Sequence, residues 1–101
     1  MKLNVYKSQT EVEKTYETQA YDLMYGTVED IFEILDGMEN MKTNDQIIGV
    51  IQKNRAKLTE LLKDVFPEIT DDELRRIKLK ELVPFFIELF GYVQRSFSEK
   101  N

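Results

Sequence analysis

The chain is 101 residues long, 42% hydrophobic and 33% charged, with a formal net charge of −5 and neither cysteine nor histidine. Such a length and composition describe one globular domain, large enough to bury about 60 to 65% of the surface its unfolded form exposes. The missing thiols and imidazoles exclude disulfides, Cys/His zinc sites, thiolate nucleophiles and any catalytic triad with an imidazole base.

The chain opens on a strand pair. Leu3 and Val5 alternate with Lys2, Asn4 and Tyr6, and the alternation resumes through Val12, Lys14, Tyr16 and Thr18. Lys2–Lys7 paired with Glu11–Thr18 about a turn at Ser8 and Gln9 makes a β-hairpin, which must pack on something else to be stable. Tyr21, Leu23, Met24 and Tyr25 fit either a short helical turn ending at Gly26 or an extension of the strand. Thr27 reads as a helix N-cap, with Asp30 where a capping-box acid would reach back, so the next helix begins near Val28 and is closed by Gly37. Val28, Ile31, Phe32 and Leu35 form its apolar face, while Glu29, Asp30 and Glu33 lie off that face and favour the positive end of the helix dipole.

Residues 37–44, GMENMKTN, make a connector inside the domain rather than a boundary. Thr43 or Asn44 then caps a helix of about five turns, its apolar stripe running from Ile47 to Phe66, and Pro67 ends it. Thr70-Asp71-Asp72-Glu73 is a full capping box that predicts a short helix from Asp71 to about Lys78. Capping accounts for these acids better than a cation site does, because the D-x-D-x-D-G loop with its distal Glu is missing. The last helix, about Lys80 to Phe97, buries Leu82, Phe86, Leu89, Phe90, Val93 and Phe97, and tolerates Pro84 only in its first turn. The polar end Ser98-Glu99-Lys100-Asn101 is expected to fray. The fold class is therefore α+β and predominantly helical: a single domain over 1–101, with a hairpin at 1–18 and a bundle of about four helices within 20–97. Its core draws on Leu3, Val5, Ile31, Leu35, Ile51, Leu58, Leu62, Leu74, Leu82, Phe86, Leu89 and Val93.

Charge is unevenly spread. Residues 8–41 carry nine carboxylates against Lys14 alone, whereas 42–101 hold eleven basic and ten acidic residues. The acidic half is either a solubilising surface or one that favours a basic partner, and it disfavours nucleic acid. Arg75, Arg76, Lys78 and Lys80 form a basic run that would either touch phosphates from a helix-turn-helix or pair with Asp71 and Asp72. The four glycines are too scattered for a phosphate loop. The remaining catalytic candidates, carboxylate pairs, lysine and tyrosine, need a pocket that so small a domain seldom provides, so no enzyme, catalytic residue, cofactor or metal is expected. The aromatic run VPFFIELFGYVQRSF is either core or contact surface. Phe85 and Tyr92 share a face distinct from the Phe86, Leu89 and Val93 stripe, which makes them the candidate protein-binding residues. No stretch approaches the roughly 20 apolar residues of a membrane span, and MKLNVYKSQTEVEK lacks the apolar region of a secretory signal, so a cytoplasmic location is expected.

A strand pair, then YDLMYGTVEDIFEILDG at 21–37, a long helix, and PEITDDELRRIKLKELVPFFIELFGYV at 67–93 make a pattern that resembles the tail assembly chaperones of long-tailed bacteriophages and prophages of Gram-positive hosts. The likeness covers most of the chain and rests on hydrophobic pattern and short phrases. Tyr21, Thr27, Asp30, Asp36, Glu73, Glu81 and Pro84 match those phrases without a known role. The resemblance implies a protein encoded just before the tape measure protein, which coats that long helical polypeptide, keeps it soluble, recruits tail tube subunits, associates with itself and is absent from the finished virion. It further implies a longer form made by frameshifting near the end of the short frame, to which an A-rich codon run for Glu99-Lys100-Asn101 would be suited. Rival readings are a head-tail joining protein of the virion and a small DNA-binding regulator.

Overall fold

The alternation at the N-terminus makes the hairpin it predicts: β1 (Lys2–Tyr6) pairs antiparallel with β2 (Val12–Glu17), Leu3 facing Tyr16 and Val5 facing Lys14, with a bulge before Tyr6 meets Val12. The computed structural model describes residues 1–19, 22–35 and 43–98, with the backbone alone for 96–98. Leu3 and Val5 are buried, whereas β2 is exposed apart from half-buried Tyr16. The free edge of β1 is met by the segment before the last helix, where Tyr6 N–H donates to the Arg76 carbonyl at 2.9 Å and Val5 bridges Ile77.

Five helices follow among the described residues: α1 (Tyr25–Ile34), α2 (Asn44–Lys53), α3 (Arg55–Val65), α4 (Asp71–Leu74) and α5 (Leu79–Ser98). The architecture is thus a two-stranded hairpin followed by helices, α+β and mostly helical, in agreement with the patterning. Two of the three expected caps form, the second at Thr43 rather than Asn44. Thr43 and Gln46 exchange side-chain and backbone hydrogen bonds of 3.1 and 3.2 Å at the start of α2, and Thr70 and Glu73 do the same at 3.1 Å at the start of α4.

Four boundaries differ from the pattern, each for a physical reason. α1 begins at Tyr25, three residues before the expected Val28 and after an extended Met24 that offers no side-chain cap, so Thr27 lies inside the helix and buried, and the Thr27–Asp30 box does not form. Tyr25 and Gly26 consequently belong to α1; its closure at Gly37, the connector after it, Tyr21 and the tail beyond Ser98 lie outside the described residues. The helix expected from Thr43 to Phe66 is broken at Asn54, whose φ of −127° and ψ of 35° leave the helical region. Its side-chain amide and its backbone N–H both donate to the Val50 carbonyl, at 3.1 and 3.0 Å, the local competition that makes Asn a poor helix-interior residue. The break lets α2 pack on α5 while α3 packs on α1. α4 stops at Leu74 rather than about Lys78, because the residues after it are diverted to the edge of β1. Pro84 is the sixth residue of α5, one turn deeper than expected. It forfeits the bond to the Lys80 carbonyl, and since both residues are exposed, water can satisfy that oxygen.

One apolar cluster joins all these parts. Of the expected core residues, Leu3, Val5, Ile31, Leu35, Leu58, Leu62, Phe86, Leu89 and Val93 are buried, and Ile51, Leu74 and Leu82 are half-buried against them. An aromatic chain threads it from the hairpin to the middle of α5: Tyr16 to Phe66 at 5.5 Å, Phe66 to Phe85 at 5.8 Å, Phe85 to Phe86 at 5.6 Å and Phe86 to Phe90 at 5.3 Å. These separations are in the range where aromatic pairs attract beyond simple area burial.

Candidate partner-binding surface

Phe85 is not the surface anchor that its position off the main stripe of α5 implies. It is 3% exposed, as buried as the core, and held between the rings of Phe66 and Phe86. Tyr92, two turns further on, is half-buried and packs against the core cluster. The reason is the position of α5, which is packed by α2, by α1 and by β1, so a second apolar face finds intramolecular cover. Val83, also off the stripe, is buried in the same way.

Exposed apolar surface collects instead on α1. Its inward stripe is Thr27, Val28, Ile31 and Ile34, continued by Leu35. That stripe turns Tyr25, Glu29, Phe32 and Glu33, spaced four, three and one apart, to the opposite side. Met24 is 74% exposed, Tyr25 70% and Phe32 39%, and they are three of the five exposed large hydrophobic residues among those described. Phe32 thus leaves the core stripe to which the spacing assigned it. Tyr25 and Phe32 line a shallow depression together with Glu29, Asp30 and Glu33.

The acids on this face have lost the explanation that the expected helix start supplied. With α1 beginning at Tyr25, no acid stands in its first turn, and the dipole effect fades beyond the first turn. Glu33 pairs with Lys57 of α3 at 3.4 Å, both side chains largely exposed, and Glu29 and Asp30 have no ion pair among the described residues. Sequence reasoning missed the face because misplacing the start by three residues put Tyr25 outside the helix. The seven-residue spacing that singled out Phe85 and Tyr92 is present here too.

The other charged residues fasten parts together. The Glu73 carboxylate, already the capping-box acceptor, takes a hydrogen bond from Tyr16 Oη at 2.6 Å and one from Lys14 Nζ at 3.3 Å. The Tyr16 bond above all, then the Thr70 backbone N–H and Lys14, outweigh desolvation and hold the Glu73 carboxyl below its ordinary range. Arg76 bonds Asp72 at 2.9 Å, Glu13 at 2.5 Å and the Tyr6 carbonyl at 3.0 Å. Lys78 donates to the Gln9 carbonyl and lies 4.3 Å above the Tyr6 ring, and Lys63 pairs with Asp71 at 2.6 Å. Two cations of the basic run therefore tie the hairpin to α4 and to the segment leading into α5. A crevice of about 200 Å³ between α3 and α5, floored by Leu58, Leu62, Leu82 and Phe86, is apolar and has Arg55 and Thr59 on its lining.

No known protein family, curated protein or solved structure matches the chain. Among the described residues no helix is long and apolar enough to cross a membrane.

Proposed function

We propose that the chain is a non-enzymatic phage tail assembly chaperone, acting in the cytoplasm of the bacterial host, that binds the tape measure protein and assists assembly of the tail tube. The observation that carries this reading is the exposed Met24, Tyr25 and Phe32 surface, which falls within the 21–37 phrase on which the resemblance to tail assembly chaperones rests. Large aromatics left on the surface of a small domain are the side chains that anchor protein–protein contacts, and a tape measure is a long helix with apolar seams to cover.

A DNA-binding role finds less support. Arg76 and Lys78, two of the four cations of the run that would face phosphates, are committed to Asp72, Glu13, Gln9 and Tyr6 within the fold. The separating experiment is co-expression with the tape measure protein of the same phage or prophage, followed by affinity capture and assay of purified virions. Retention of soluble tape measure on the chain, with none of the chain in virions, is the expected result. Capture failing while a DNA fragment is shifted in a gel, or the chain remaining in virions at fixed stoichiometry, would overturn the proposal in favour of a regulator or a head-tail joining protein.

A further inference from the structure

We infer that the outer face of α1 receives a basic amphipathic helix, its apolar seam seated on Tyr25 and Phe32 and its lysines and arginines set against Glu29, Asp30 and Glu33. The inference rests on the proposed partner-binding role and adds the chemistry by which the partner is chosen. Tyr25 and Phe32 are seven residues apart, about 10.5 Å along the helix axis. A partner helix packed alongside presents apolar residues at the same interval, because seven residues make nearly two turns of either helix. Glu29 stands between the two aromatics on this face and Asp30 and Glu33 flank them, so a seam bordered by cations meets carboxylates along its length.

Charge decides between the occupants of such a face. Residues 8–41 carry nine carboxylates against one lysine, and among the described residues the only ion pair made by an acid of this face is the exposed 3.4 Å contact of Glu33 with Lys57. A nucleic acid or an anionic bilayer would be repelled here. A second copy is disfavoured by the net charge of −5 on each chain. A basic helix is attracted before contact and held in register after it. Individual exposed ion pairs contribute little. Affinity therefore comes from Tyr25 and Phe32, and selectivity and association rate from the carboxylates.

The test uses the full chain and two synthetic peptides with one leucine seam, flanked in one by lysine and arginine and in the other by glutamate. Binding is followed by fluorescence anisotropy. The basic peptide is expected to bind at least about tenfold more tightly than the acidic one and to weaken as salt is added. Tyr25→Ser is expected to weaken it by about tenfold or more, and the double change Glu29→Lys, Asp30→Lys to remove most of the preference between peptides. In both variants the circular dichroism and the urea midpoint should stay those of the parent. Equal binding of the two peptides, or binding indifferent to Tyr25→Ser, would overturn the inference. A dimer of the parent chain in sedimentation that Tyr25→Ser dissolves would reassign the face to a second copy and overturn it as well. Failure of the chaperone reading is distinguishable: the parent would then bind the basic peptide but not the tape measure. If parent and variants retained the tape measure equally, the chaperone reading would stand and the α1 site would fall.

Discussion

α5 and α1 each carry two aromatic residues seven positions apart, and the two pairs end in opposite environments. Phe85 is 3% exposed and Tyr92 half-buried, whereas Tyr25 is 70% and Phe32 39% exposed. Spacing predicts neither outcome: it set Phe85 off the stripe of α5, where it is buried, and Phe32 on the stripe of α1, where it is exposed. What separates them is the number of elements packed round each helix. α5 touches α2, α1 and β1, and those neighbours cover its second face; among the described elements α1 packs on α3 and α5 through one stripe, and Tyr25 and Phe32 on its other side stay exposed. Periodicity states which side chains share a face, while the number of covered faces is a property of the assembled fold.

The strongest way to break this comparison is to truncate the α5 aromatics. Phe86→Ala removes a ring that is 1% exposed and stacked on Phe90 at 5.3 Å, and is expected to cost about 3 to 5 kcal/mol in urea denaturation through lost transfer energy and a residual cavity. Phe85→Ala should fall in the same range, because its ring lies between Phe66 and Phe86. Tyr25→Ser should stay within about 0.5 kcal/mol of the parent, as surface substitutions generally do. A cost below about 1 kcal/mol for Phe85→Ala would show that its burial carries little of the fold's stability, and the contrast between the helices would collapse.

Elements with local signals were legible in the sequence, and those settled by distant contacts were not. The hairpin was readable because the alternation of Leu3 and Val5 reports burial on one side. The box at Thr70 was readable because it is closed within four residues, and the start of α2 was readable to within one residue, Thr43 or Asn44, with the Gln46 side chain deciding for Thr43. The start of α1 was not, since Met24 caps it without a side-chain bond while Thr27 displays the right chemistry in the wrong place. The stripe from Ile47 to Phe66 looks continuous across Asn54, and only the packing of α2 on α5 and of α3 on α1 gives the break a use. The short span of α4 depends on Ile77 meeting Val5, a contact seventy-two residues distant in sequence. For the site, the acidic bias of the first half was visible and its partner chemistry could be stated. The residues that present it were hidden by the three-residue error at the start of α1.

A middle-sized effect tests the seam between hairpin and α4. Tyr16→Phe deletes the 2.6 Å hydrogen bond to Glu73 but keeps the ring on Phe66, and should cost about 1.5 kcal/mol at neutral pH, the lower end for a bond to an ionised group because the pair is partly open to water. Because the Glu73 carboxyl is held below its ordinary range, folding binds its proton less tightly than the unfolded chain does. Its contribution is complete above the unfolded carboxylate range and is lost as pH falls through that range towards the lower folded value. The parent should therefore lose more stability than Tyr16→Phe below about pH 4, and the two denaturation midpoints should converge there. A gap that stays constant down to pH 3 would mean that Tyr16 does not act through the Glu73 carboxylate.

The smallest expected change in stability sharpens the α1 side of the comparison. Lys57 makes a 3.4 Å pair with Glu33 in which the side chains are 57% and 70% exposed. An ion pair so open to water contributes about 0 to 0.5 kcal/mol, so Lys57→Ala should leave the urea midpoint almost unmoved. Its effect on binding runs the other way. Among the described residues Lys57 is the cation paired with the acidic face, and removing it frees Glu33 for a lysine or arginine of the partner. An added ~0.5 kcal/mol of attraction corresponds to a factor of about two in affinity. The basic peptide should thus bind Lys57→Ala about twofold more tightly than the parent at low salt. The difference should vanish near 1 M salt, where the screening length is about 3 Å. Weaker binding by Lys57→Ala at low salt would mean that the partner's charge is not read by this face, whatever its apolar seam contributes.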